Sequence, residues 1–383
     1  MKKIKPFIKF FAKTEIFFYS LIPLMALVVL GTVAQKYIGL YQAQATYFSS
    51  FYFLVFKYIP IPGGYTILSI IFVNLICKLF ISSWKLNKLG TNIVHIGVAL
   101  LLFGGFLTAV FTQEGQITLG EGESKSYFTD YFKNELILQK VVFNKNKPRP
   151  KMPAFFSKKK PSYKVLKTWV KTDFIKNKTI FFSSAKINIQ ILKHFKNVGL
   201  KKRNTAAPVN QKGFITQFYL FNKKEEVKKE LNSEALIFKV KENKLVYGIF
   251  DGMPISQTIS VNDKIFVISL RRRRYHLPIN IKLIDFKKLN YTGSSKAKNY
   301  QSFIEVKNKA GLQKALVEMN QPFRYKDYTF YQASFSQENN KETSVLAVVK
   351  NKGRIFPYLA SLIMCFGLLF HLLAYLPKVL RRV

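Results

Sequence analysis

Apolar positions along this chain follow two regimes. In four windows, residues 16–34, 65–81, 93–111 and 356–376, they run almost without interruption. At a rise of about 1.5 Å per residue, such windows suit helices that cross about 30 Å of hydrocarbon. The second window is the weakest, because it contains Asn74 and Lys78. Lys78 lies near its end, where the amine can snorkel to water. Between the third and fourth windows the pattern changes to alternation. Residues 236–250, 263–270, 279–286, 301–308 and 343–350 read as strands, and only KKEEVKKELNSEA (223–235) has helical character. Lys- and Pro-rich stretches near 140–175 and 197–213 read as exposed loops or insertions.

The expected fold is an α-helical membrane protein with four transmembrane helices. A large, mainly antiparallel β domain, a sandwich or an open barrel, is inserted between helices 3 and 4. Residues 1–112 form the N-terminal membrane region, 113–353 the β-rich domain, and 354–383 the fourth helix with a basic tail. The first window is too long for a signal-peptide core and is followed by more spans, so it is expected to be retained.

Lysine placement suggests an orientation. Lys2, Lys3, Lys5, Lys9 and Lys13 precede the first span, Lys85 and Lys88 lie between the second and third, and Lys378, Arg381 and Arg382 close the chain. With four spans these fall on one side, which the positive-inside rule makes cytoplasmic. The loop 36–64 goes to the other side, and its Tyr47, Phe48, Phe51, Tyr52, Phe53 and Phe56 suit the lipid–water interface. Both termini are thus expected in the cytoplasm and the β domain outside the inner (plasma) membrane, in the periplasm or its equivalent.

Charge adds one exclusion. The chain carries a formal net charge of +41, and residues 113–353 hold 47 Lys and Arg against 19 Asp and Glu. Nucleic acid is not an expected partner, because the topology places that domain where none is present. A solvated surface is the simpler reading, with anionic membrane lipids or an acidic partner as alternatives. The two cysteines, Cys77 and Cys365, both fall inside spans, so the outer domain has no disulfide framework and no thiol chemistry. No Cys-x-x-Cys-His motif is present for covalent haem attachment to the chain itself.

Four histidines are the remaining candidates for chemistry. His194 and His276 lie in the outer domain and are read as ordinary surface residues. His95 and His371 lie inside spans, where ionisable groups are costly and usually face protein, water or a ligand. Both should occupy the cytoplasmic half of the membrane, at similar depth. Neutral imidazole is a common axial ligand of haem iron. The nearby Gly97, Gly104 and Gly105 would admit a flat macrocycle or another helix. Packing alone also accounts for both histidines and for the glycines.

Several motifs resemble the ResB/CcsB family of system II cytochrome c biogenesis. They are Gly31-Thr32-Val33-Ala34-Gln35, Tyr47-Phe48, Pro62-Gly63-Gly64 and His95-Ile96-Gly97 with Gly104. In the outer domain they are HLPINIKLIDFKKLNYTGS (276–294), YQSFIEV (300–306) and MNQPFRYKDYTFYQASF (319–335). The most specific is Asn320-x-Pro322-x-x-Tyr325-x-x-Tyr328-x-Phe330-Tyr331-Gln332; the resemblance is thin over 140–235.

The resemblance implies a subunit that works with a CcsA-type multi-span partner. Together they carry haem (haem b in transit) across the membrane for thioether attachment to apocytochrome c. It implies His95 as an axial-ligand candidate for the iron, His371 as a secondary cofactor-binding candidate, and no catalytic residue in this chain alone. The partner's tryptophan-rich stretch is missing, since the only tryptophans are Trp84 and Trp169. Tyr325, Tyr328, Tyr331 and Gln332 could contribute to a docking surface, although each is more simply a strand-core aromatic or a satisfied amide. The alternative is a membrane-anchored β-domain scaffold for envelope assembly that binds no haem.

Overall fold

The computed structural model describes residues 4–56, 58–143, 163–172, 178–183, 185–254, 256–262, 264–294, 296–338 and 341–380. The chain divides into two compact units: residues 1–114, 317–331 and 348–383 form one, and residues 115–316 and 332–347 the other. Each is described by itself.

The first unit holds the spans. Its helices are α1 (Ile4–Phe11), α2 (Thr14–Ile38), α3 (Leu40–Ala43), α4 (Gly64–Ile81), α5 (Leu86–Phe111) and α6 (Phe356–Leu380). Four of them contain stretches long and apolar enough to cross a membrane: Thr14–Ile38, Gly64–Ile81, Lys88–Phe111 and Phe356–Leu376. Helix is the natural form for such windows, because it satisfies every peptide group inside the segment.

The two polar residues that weakened the second window are internal braces. Asn74 Nδ2 donates to the carbonyl oxygens of Phe11 (2.6 Å) and Lys13 (2.8 Å), closing the C-terminal end of α1. Lys78 Nζ donates to Thr14 Oγ1 (3.1 Å), so it bonds the start of α2 where snorkelling was expected. Buried Asn92 plays the same part for the α4–α5 connection. Its Oδ1 accepts from Ser82 Oγ (2.7 Å) and its Nδ2 donates to Ser83 O (3.1 Å).

The segment between α3 and α4 contains a π turn (Gln44–Phe48) and a hairpin pairing Tyr52–Val55 with Ile59–Pro62. Its aromatics split. Phe53 joins Leu27, Ile67 and Ile71 in a core against which Tyr47 and Phe48 pack, whereas Phe51, Tyr52 and Phe56 are exposed as expected of an interfacial loop. The unit also holds the strand Phe323–Tyr325, paired with Tyr328–Phe330 through a turn in which Lys326 takes φ 51°.

The second unit is a β sandwich. One layer has four antiparallel strands in the order Val246–Phe250, Ala235–Val240, Ile187–Phe195, Thr179–Phe182. The other is built on the long strand Lys264–Asn290, flanked by Ala297–Asn308 and Ser124–Phe143. Strands Gln257–Val261 and Tyr163–Lys171 pair onto this layer. Alternating residues of the smaller sheet, among them Ile187, Ile189, Ile191, Leu236 and Phe238, meet Leu136, Leu138, Phe266 and Ile268 in one core. Residues 263–270 and 279–286, read separately from the alternation, are two parts of one strand. Its ladder to Ser124–Phe143 breaks between His276 and Ile281, where Pro278 has no N–H to contribute.

Three sequence readings change. Residues 223–235 contain only a single 3-10 turn, Lys229–Leu231. Val227 and Leu231 stay exposed, so a helix there would have no core to pack on, and Asn232 instead closes a loop onto the backbone of Glu226. Within 140–175, the stretch Tyr163–Lys171 is a strand, and so is the chain up to Phe143. Pairing with Ser124–Phe143 and burial of Trp169 against Phe266 outweigh the lysine content. Residues 144–162 and 173–177 of that stretch lie outside the described residues, as do Lys2, Lys3, Arg381 and Arg382 at the termini. Within 197–213, Val198–Lys202 is a strand paired with Phe218–Asn222.

Candidate functional site

Helices α5 and α6 pack along glycines spaced by seven residues. A Cβ on Gly90 would lie 2.7 Å from the Cα of His371. On Gly97 it would meet Met364 Cγ at 2.5 Å and Ala360 O at 3.0 Å, and on Gly104 the Cβ of Phe356. From the other side, Gly367 faces Gly90, Ile93 and Val94, and Gly353 faces Thr108. The seven-residue spacing holds one face of α5 against an antiparallel partner, and small residues let the backbones approach closely. Gly105, which the sequence grouped with Gly97 and Gly104, meets nothing within 4 Å. Gly90 was missed by sequence reading, and the 90, 97, 104 spacing was the signal that could have found it.

This register separates the two span histidines. His371 sits level with Gly90, whereas His95 lies five residues further along α5, about 7 Å at helical rise. Five residues from Gly90 also rotates His95 well off the glycine face. Similar depth, expected from the sequence, is therefore replaced by two distinct levels, because the packing sets Gly90, and not His95, opposite His371. His371 is exposed, with its ring stacked near Tyr375 at 6.0 Å and 16°.

His95 is half-buried. Its Nδ1 is sealed from solvent without a hydrogen-bond partner, while Nε2 is neither sealed nor bonded. An imidazole with one free, accessible nitrogen in an apolar span is chemically suited to ligate a metal in a flat macrocycle. Among the described residues, no three His, Cys, Asp or Glu side chains gather as a metal site.

Other motif residues also meet. The ring of Phe48 lies where a Cβ on Gly31 would be, its backbone abuts Gly64, and Ser50 abuts Gly63. The conjunction Gly31, Tyr47-Phe48 and Pro62-Gly63-Gly64 is thus one packing contact made from three separate stretches. In the other unit, Gln332 is a satisfied amide. Its Oε1 accepts from Ser302 Oγ (2.6 Å), and its Nε2 donates to Ser334 O (3.1 Å) and to buried Ser344 Oγ (3.2 Å). Tyr328 is buried, while Tyr331 is exposed. His276 is exposed, but His194 is not the surface residue expected. It is half-buried and bonds Glu234, whose other oxygen accepts from Asn134 Nδ2 at 2.7 Å.

Residues 238–355 match the model described as the ResB-like family. Over those residues the chain is similar to that family. The match contains the stretches 276–294, 300–306 and 319–335 that carried the resemblance in the outer domain, and it ends just before α6. No curated protein matches the chain. The ResB-like match supports a role related to cytochrome c biogenesis.

Proposed function

We propose that this chain is a ResB/CcsB-like subunit of a system II cytochrome c synthase. It helps a CcsA-type partner carry haem across the membrane and deliver it to apocytochrome c. The observation that carries the reading is His95, an imidazole within a span whose Nε2 has no protein partner. In this role His95 would hold the cargo iron through Nε2, and axial ligation would bias its redox state. The chain's own residues supply position: Asn92, one turn before His95 in α5, ties that helix to Ser82 and Ser83 of the α4–α5 connection, and the glycine face fixes α5 against α6. His371, on a different level, would not share an iron with His95, so the second ligand comes from the partner.

The same reading puts both termini in the cytoplasm. Its support is that Asn74 and Lys78 bind the α1–α2 junction to the last turns of α4, near Lys85 and Lys88. Among the described residues, Lys13 before α2 and Lys78 and Lys85 at the α4–α5 connection thus fall toward one end of these helices. The β unit then lies on the outer face.

The test is co-purification of the complex followed by Soret absorption. Haem should be present in the wild type, and His95→Ala should lose most of it, with partial recovery on adding imidazole. Unchanged haem content in His95→Ala would remove the residue from the ligand set. A complex without haem in any variant would favour the scaffold reading.

A further inference from the structure

The run Arg271–Arg274 sits in the long strand Lys264–Asn290, at a second irregularity of its ladder to Ser124–Phe143, between Arg272 and Arg274. Arg272 pairs with Asn134 and Arg274 with Thr129, so residues 130–133 of the partner strand stand opposite Arg273 alone. Those extra residues turn on Asp130, whose Oδ1 accepts from the backbone N–H groups of Phe132 (2.8 Å) and Lys133 (3.0 Å). Such irregularities re-aim side chains.

The four guanidiniums differ in how their charge is met. Arg271 Nε donates to Glu135 at 2.9 Å, and Glu135 is buried. Arg272 pairs with Asp251 at 3.1 Å and donates to two backbone carbonyls. Arg273 lies 5.0 Å from the ring of Tyr275. Arg274 is half-buried, with its guanidinium 4.3 Å above the ring of Tyr127, and no carboxylate pairs with it among the described residues. Its Nε is sealed from solvent with no acceptor, which leaves the Nη edge as the open side. The groups acting on it electrostatically are Arg271, Tyr127 and Glu135. Burial, then the neighbouring Arg271, pushes the Arg274 guanidinium below its ordinary range. Because arginine stays charged in proteins, that cost persists until an anion relieves it. Glu135 contacts Arg271 and acts on Arg274 only at longer range, so this pair of guanidiniums carries one more positive charge than the carboxylate beside it.

We propose that Arg271 and Arg274, backed by the Tyr127 ring, bind one oxyanion, a carboxylate or a phosphate, through their open Nη edges. The planar fork of arginine suits both groups. The site is independent of haem handling, since none of its residues belongs to the spans. It also gives a specific use to a small part of a very basic surface.

Equilibrium dialysis of the full chain in detergent micelles tests this with radiolabelled inorganic phosphate in one arm and succinate in the other. Saturable one-site binding is expected in at least one arm, and the arm that binds identifies the class. Arg274→Gln should weaken it at least tenfold, and Lys314→Gln, on an exposed strand, should leave it unchanged. A second measurement needs no variant: phenylglyoxal labelling of wild-type arginines, read by mass spectrometry. The bound anion should slow modification of Arg274 at least fivefold while exposed Arg324 reacts at the same rate. Absence of saturable binding in both arms, or labelling of Arg274 that ignores the anion, overturns the proposal.

Discussion

The two units are packed in opposite senses. In the spans, the large side chains point outward: Leu362, Phe366, Leu369 and Leu373 of α6 are each at least 60% exposed, while glycines occupy the contact between α5 and α6. In the β unit, Phe238, Leu236, Ile189 and Ile268 are fully buried, and lysines cover the outside. The difference follows from the solvent. Between helices in lipid there is no hydrophobic drive, so close backbone approach and dispersion contacts decide the interface. In water, removal of apolar surface decides it, and large interdigitating side chains win.

The comparison can be broken most severely at Gly90. Gly90→Val would force a side chain into the backbone of His371, which cannot swing aside as a flexible side chain would. A loss of about 3 kcal/mol or more is expected, read by denaturant titration of the full chain in micelles. Gly105→Val, with open space around it, should leave the transition in place.

Truncation should show the next largest contrast. Leu236→Ala in the β core should cost about 2–5 kcal/mol. Leu362→Ala, on the outward face of α6 at 70% exposure, should change the same measurement by less than about 0.5 kcal/mol. Equal costs at the two positions would mean that the outward face of α6 is covered by protein.

A smaller effect sharpens how the β unit treats its polar groups. Burial, then the nearby Asp130, pushes the Tyr275 phenol up to about 12 from 10.0. Its hydroxyl donates to Asp130 Oδ2 at 3.0 Å, a bond that the phenolate cannot make. The folded value lies above the unfolded one. The stability it contributes is therefore complete below pH 10.0 and is lost as the pH rises toward 12. Ultraviolet titration of phenolate absorption should show one late-ionising tyrosine that disappears in Tyr275→Phe. A wild-type curve without that late step would show the phenol to be open to water.

Local pattern was enough for the spans and for most strands, because an unbroken apolar window and strict alternation each admit one burial mode. It was misleading for 223–235, where helix-forming residues have no core to meet, and for Tyr163–Lys171, where pairing overrides lysine content. At the candidate site, His95 was visible as an ionisable group in an apolar window, while its relation to His371 was not. Depth counted from window ends put them level. Only the α5–α6 register, set by glycines whose neighbours lie more than 240 residues away in the chain, put them on different levels.

The sequence by itself determined which segments can enter lipid, that a β domain is inserted between the third and fourth of them, and that an imidazole lies within a span. These follow from composition and periodicity, which are local. Tertiary structure alone decided what Asn74, Lys78 and Asn92 hold together, which nitrogen of His95 is sealed from solvent, and which of four consecutive arginines are paired with a carboxylate. Each of these depends on a partner brought from elsewhere in the chain, and the identity of that partner is written in packing rather than in spacing.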